Sequence, residues 1–252
     1  MLRSFGSRPL VPSWFCQHAK PLPVVVYFHG GGWSFGSASG SDHIAAGICR
    51  STACLVTSVD YRLAPENPYP AALNDCIHAV VWAKRNIVCH NGDPTRLYLA
   101  GDSAGGNLAA AVCVALSGKG IKGMILSYPA LDLNASESGS MRRFATGYGL
   151  DASFFEKAVT CYISDSGMRN EKTVSPVNAE LQTLPPALII SPQFDILSDS
   201  AAEFAHRLKH ARYICLRGVT HAYLVSLSCV SEFQETMKET VKFIQTTSTR
   251  RK

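Results

Sequence analysis

Ser103 stands in Gly101-Asp102-Ser103-Ala104-Gly105, between the apolar run Leu97–Ala100 and the helix-forming run Asn107–Val112. A serine at so sharp a strand-to-helix turn is exposed as a nucleophile, and glycines around it leave the room such a turn needs. Three fixed positions also arise by chance, in roughly one chain in twelve of this length, so the pentapeptide has to be judged with its partners. Acyl transfer creates an oxyanion, and backbone N–H groups must already point at it. His29-Gly30-Gly31-Gly32-Trp33 follows the apolar run Val24–Phe28 and supplies such a close-approaching backbone. A His-Gly-Gly-Gly run has a chance expectation of only about two in a thousand chains. The nucleophile also needs a base and a group to orient it, in the chain order Ser, Asp, His for this kind of turn. Asp195 comes soon after the apolar run Ala187–Ser191, and His221 is the only histidine after the run Tyr213–Leu216. Asp199 competes with Asp195 but reads as the cap of a following helix, and Asp132, which also follows an apolar run, is the third candidate. Asp102 adjoins the nucleophile in a tight turn where neighbours point apart, so it reads as a structural hydrogen-bonding residue.

These residues are positioned by an alternation of short apolar runs and helical patterns. Strands are expected at Val24–Phe28, Cys54–Val59, Leu97–Ala100, Met124–Tyr128, Ala187–Ser191 and Tyr213–Leu216. Helices are expected at about 42–51, 71–86, 104–117, 198–210 and 231–245, the fourth opened by Ser198-Asp199 as a cap. Strands apolar throughout predict an α/β fold, a mostly parallel sheet covered by helices on both faces with its site at the strands' carboxyl ends. Residues 132–185 interrupt the rhythm with a long insertion containing a helix around Ala152–Ile163. Long insertions of this kind serve as lids or binding elements. Tyr148, Phe154 and Phe155 within it either form an apolar substrate wall, together with Trp33, or pack that helix on the core.

Length and composition narrow the classes. At 252 residues, 46% hydrophobic and 17% charged, the sequence predicts one globular α/β domain over residues 1–252. No apolar run approaches the ~20 residues of a membrane helix. The net charge of +5 is scattered apart from the tail Arg250-Arg251-Lys252. With no aromatic or glycine pattern of a nucleic-acid module beside it, that tail predicts no nucleic-acid partner. Nine dispersed cysteines predict reduced core thiols and a cytoplasmic location rather than a disulfide framework. Neither Cys-x-x-Cys nor His-Glu-x-x-His occurs, so no metal site is expected. Arg3, Arg8 and Lys20 among serines, with Pro9 and Pro12, read as a basic leader.

Taken together, His29–Trp33, Asp60-Tyr61-Arg62-Leu63-Ala64-Pro65-Glu66, Gly101–Gly106, Ser175-Pro176, Leu184–Ala187 and Phe194-Asp195 resemble the hormone-sensitive-lipase-like family of α/β-hydrolases, which includes carboxylesterases and arylacetamide deacetylases. The resemblance runs from about Leu22 to Ile244. It implies the α/β-hydrolase fold with a partial cap, and a serine esterase acting through an acyl-enzyme on small to medium apolar esters. Ser103, Asp195 and His221 would be the catalytic residues, and Gly31, Gly32 and Ala104 would give the oxyanion-hole N–H groups. No cofactor is implied. Asp60 and Arg62 resemble the family's structural ion pairs. An aryl-amide deacetylase with the same triad remains open, as does a non-catalytic receptor-like ligand binder, although such receptors lose the histidine that this chain keeps at His221.

The sequence departs from the family in two places. Members carry cap helices and two further strands before the His-Gly-Gly-Gly strand, whereas about twenty residues precede it here. The strand Cys54–Val59 is then expected at an open sheet edge without a charge to protect it, which predicts either a homodimer paired through that edge or poor solubility. Cover over the site must come mainly from the 132–185 insertion. The stretch from Ala211 to His221 is also a few residues shorter than is usual.

Overall fold

The computed structural model describes residues 9–10, 20–134, 138–225 and 230–248. The basic leader residues Arg3 and Arg8 and the tail Arg250-Arg251-Lys252 lie outside them. Along the chain come β1 (Pro9–Leu10), β2 (Leu22–Phe28), α1 (Asp42–Thr52), β3 (Leu55–Val59), α2 (Ala71–Asn86), β4 (Gly92–Asp102) and α3 (Ala104–Ala115). After these follow β5 (Gly123–Ser127), α4 (Gly139–Arg143), α5 (Ala152–Tyr162), β6 (Ala187–Phe194), α6 (Ser198–Arg207), β7 (Ala211–Thr220) and α7 (Ser231–Ser248). The seven strands form one sheet in the order β1-β3-β2-β4-β5-β6-β7, all neighbours from β3 to β7 being parallel.

Alternation along the strands explains why both faces are covered. In β2, Val24, Val26 and Phe28 join the core shared with α2, α3 and α6, while Val25 and Tyr27 join the opposite core with α1 and α7. Successive side chains of a strand point to opposite faces, so a continuously apolar run demands two helical layers. The order reverses between β2 and β4, the chain having gone outward through β3 and then back across. Such a reversal opens a crevice at the strands' carboxyl ends, and the glycine loop after β2 and Ser103 after β4 both lie there.

Two expectations are corrected. The strand at Leu55–Val59 is not an open edge: β1 pairs with it antiparallel, Pro9 opposite Thr57 and Leu10 opposite Val56, so the edge on which the homodimer rested is occupied over those residues. The terminal strand on the other side, β7, is mostly exposed and carries Arg212 and Arg217, charges of the kind that discourage edge pairing. Second, Ser198-Asp199 does not cap α6 through a side chain, the N-cap being Leu197. Asp199 instead accepts hydrogen bonds from the Ser140 N–H at 2.7 Å and from Arg143 at 3.4 Å, tying α4 of the insertion to α6.

Candidate active site

The turn from β4 into α3 is tight enough to force unusual backbone. Ser103 has φ 54 and ψ −118, a conformation that non-glycine residues avoid unless the surroundings impose it. A Cβ on Gly101 would lie 2.3 Å from the Gly105 carbonyl oxygen, and one on Gly105 would lie 2.0 Å from that of Phe28. Glycine is thus required at both positions by close approach. The Ser103 N–H donates to the Ser127 carbonyl at 2.9 Å, and its own carbonyl accepts the first bond of α3, from Asn107, at 3.0 Å. The side chain is left facing the crevice.

Asp195 and His221 arrive there through strand register. After an irregularity at Pro192, β6 and β7 pair for the last time at Phe194 and Thr220, so the next residue of each parallel strand is Asp195 and His221 respectively. Asp195 Oδ2 meets His221 Nδ1 at 2.7 Å, and His221 Nε2 meets Ser103 Oγ at 2.9 Å. Asp195, only 1% exposed, also accepts the Leu197 N–H at 3.0 Å, which holds its other oxygen. The short stretch from Ala211 is long enough because β7 extends to Thr220, with Gly218 at φ 73 and its N–H on Gln193, and Ala222 turning at φ 61 just beyond. Asp132 does not compete: it accepts the Asn134 N–H at 2.9 Å.

The glycine loop is held from beneath. His29 is buried, stacks on Tyr61 with ring centroids 4.2 Å apart, and places Nδ1 2.7 Å from the Gly30 carbonyl; burial pushes its pKa below the usual histidine value. The Tyr61 hydroxyl donates to the His29 carbonyl at 2.7 Å. Gly31 has φ 119, and its carbonyl accepts from both Ser34 and Phe35, while an added Cβ would sit 2.2 Å from the Phe35 carbonyl oxygen. Among the described residues the N–H groups of Gly31, Gly32 and Ala104 have no protein acceptor, and all three residues line one cavity with Ser103 and His221. A developing oxyanion needs unpaired donors beside the nucleophile.

That cavity measures about 530 Å³. Trp33, Phe154 and Phe155 line it, Trp33 being buried and stacked on Tyr162 at 4.8 Å. Tyr148 does not: it packs on Phe144 and Phe194, with centroids 5.1 and 5.6 Å away, because the chain turns at Gly147 and Gly149 before α5 begins. Sequence reasoning missed Phe35, Tyr128, Leu150, Ala158 and Val225, which also form the walls. Phe35 lay within reach of the glycine run, and Tyr128 at the end of a strand pointing to the site; Leu150, Ala158 and Val225 carried no such signal. Asp60 and Arg62 do not pair with each other. Arg62 is bidentate to Asp75, and Asp60 accepts the Ala38 N–H at 2.6 Å. Among the described residues no cluster of His, Cys, Asp and Glu could hold a metal ion, and no helix is long and apolar enough to cross a membrane.

The chain is 39% identical over 198 residues to the carboxylesterase NlhH of Mycobacterium tuberculosis, an alignment covering 75% of this chain and 61% of that one. It is 36% identical over 213 residues to an arylesterase of Saccharolobus solfataricus, covering 81% and 69%. It thus spans about three fifths to two thirds of the length of these curated relatives. Among solved structures, a hyperthermophilic esterase from Pyrobaculum calidifontis superposes with a TM-score of 0.87 at 32% identity, covering 93% of this chain and 80% of that one. The carboxylesterase EstE1 from a metagenomic library superposes at 0.88 and 29% identity, covering 98% and 91%. The model of the alpha/beta hydrolase fold matches residues 25–225, a span holding the glycine loop, the serine turn and both strand-end partners, and the chain belongs to that family.

Proposed function

We propose that this chain is a serine carboxylic-ester hydrolase. The observation that carries the reading is the unbroken line of hydrogen bonds from Asp195 through His221 to Ser103, ending in a cavity that Gly31, Gly32 and Ala104 also line. His221 takes the Ser103 proton as Oγ attacks the ester carbonyl carbon, and Asp195 holds the imidazole with Nδ1 protonated and stabilises its charged form. The Gly31, Gly32 and Ala104 N–H groups receive the oxyanion, each well-placed donor contributing about 3–4 kcal/mol. His221 then gives its proton to the departing alkoxide, leaving an acyl-Ser103. Water attacks this ester by the same route, its proton passing to His221 and then to Ser103 as the acid departs.

The substrates this reading favours are small to medium apolar esters. A cavity of about 530 Å³ walled by Trp33, Phe35, Phe154 and Phe155 accepts an apolar acyl or alcohol group and offers no side-chain cation for a charged one at those positions. Residues 132–185 act as the cover, through α5 and its Phe154 and Phe155. Burial of the thiols of Cys49, Cys54, Cys76 and Cys113 in the core fits a reducing, cytoplasmic setting.

The test is a panel of p-nitrophenyl esters of increasing chain length, with one aryl anilide, against the chain and its Ser103→Ala variant. Hydrolysis of the shorter esters that disappears in Ser103→Ala is expected. Equal turnover by a purified, folded Ser103→Ala protein rejects the reading, and preference for the anilide replaces it with an amidase.

A further inference from the structure

Asp102 is a buried carboxylate that the mechanism above leaves idle. Its side chain turns away from Ser103 and under the glycine loop, where Oδ1 accepts the Tyr27 hydroxyl at 2.5 Å and the Gly30 N–H at 2.9 Å. Oδ2 faces the Tyr128 hydroxyl at 3.4 Å. The approach to Gly30 is so close that a Cβ there would lie 2.4 Å from Oδ2. Tyr128 in turn sets its ring edge-on to His221, with centroids 4.8 Å apart, and is itself held by Tyr223 at 5.1 Å. Tyr27, Asp102 and Tyr128 are all buried, so these donors stand in place of water around the carboxylate. Burial pushes the Asp102 carboxyl up, while Tyr27, His29, the Gly30 N–H and His221 pull it back.

We propose that Asp102 is a positioning residue that fixes the oxyanion loop and the His221 ring relative to Ser103, through Gly30 on one side and Tyr128 on the other. The proposal rests on the serine-hydrolase reading. Through Gly30 it anchors the peptide just before the Gly31 and Gly32 donors, and through Tyr128 it supports the face of the imidazole. A purely structural network would instead be felt in stability alone. Buried polar groups that satisfy one another restrict the conformations open to their neighbours, and donors or bases displaced by a fraction of an ångström lose rate rather than substrate affinity.

Asp102→Asn keeps the shape and an acceptor for Gly30 while removing the charge and turning an N–H toward Tyr128. Tyr128→Phe removes the other arm alone. Both variants, their combination, the unmodified chain and Ser103→Ala are titrated with a fluorophosphonate, then assayed on p-nitrophenyl acetate, with kcat expressed per titrated site and melting followed in parallel. The expected result is a kcat lower by about tenfold in Asp102→Asn and by about threefold in Tyr128→Phe, with KM within about twofold. The combined variant should lose less than the product of the two, since both substitutions cut one connection. A per-site kcat for Asp102→Asn within twofold of the unmodified chain, or losses that multiply fully, overturns the proposal. Should Asp102→Asn fail to fold, Tyr128→Phe decides: a lower kcat at unchanged melting supports it, and an unchanged kcat overturns it. If the unmodified chain neither labels nor hydrolyses ester in a Ser103-dependent way, the hydrolase reading itself falls, and this proposal with it.

Discussion

At the floor of the cavity, His221 is fixed by hydrogen bonds at both ring nitrogens, one of them to Asp195 behind it, which is 1% exposed, whereas at the rim Phe154 is 49% and Phe35 61% exposed. The two rim rings face each other, with centroids 6.5 Å apart. The floor is made by backbone: strand ends in register, a turn at Ser103 with φ 54, and glycines whose replacement would collide with main chain at 2.0–2.3 Å. The rim is made by side chains carried on α5 and on the loop after Trp33, where substitution costs contact area alone. On the proposed reading, chemistry belongs to the floor, which tolerates little change, and selection among esters to the rim, which tolerates a great deal.

Substitutions on the two regions should separate by orders of magnitude. His221→Ala is expected to reduce kcat by about 10⁴-fold or more on p-nitrophenyl acetate, since it removes the base. Gly31→Ala comes next, at about 10²-fold or more in kcat, because the loop must move to free the Cβ from the Phe35 carbonyl and takes oxyanion donors with it. Activity of the Gly31 variant near that of the unmodified chain would mean the loop is no more constrained than the rim. Phe154→Ala should change kcat/KM for any one ester by about tenfold or less while shifting the ranking of acyl chain lengths, as expected for about 1–2 kcal/mol of apolar contact. A uniform loss across the panel would place Phe154 with the floor instead. The smallest effect is expected at Tyr148→Ala. It should leave kcat/KM within about twofold and cost about 1 kcal/mol of stability through its ring contacts with Phe144 and Phe194, read by denaturant unfolding.

The same division governs what was legible in the amino-acid sequence. Floor residues leave local marks, since a strained turn must recruit glycine at Gly101 and Gly105, and the partners must sit where apolar strands end. The serine turn, the glycine run and the ordered pair Asp195 and His221 were readable for that reason. Strand β4 was read as ending at Ala100 but runs to Asp102, because pairing with Ser127 carries the sheet into residues that look like a turn. The rim leaves no such mark. Whether Tyr148 or Leu150 faces the cavity depends on how the turns at Gly147 and Gly149 deliver α5, and whether Phe35 does depends on the path after Gly31. β1 escaped as well, since two residues around a proline carry no period, and the edge it covers looked open. Asp199 was read as a helix cap from its neighbours in sequence, yet its partners, Ser140 and Arg143, come from 56–59 residues earlier.

The most direct test of the account is to treat the intact chain with a fluorophosphonate, map the modified residue by mass spectrometry, and follow ester hydrolysis as labelling proceeds. One modified residue is expected, Ser103, with activity lost in proportion to its labelling and no labelling in His221→Ala on the same timescale. Ester hydrolysis that survives complete modification of Ser103, or a label that settles on another residue, would contradict it.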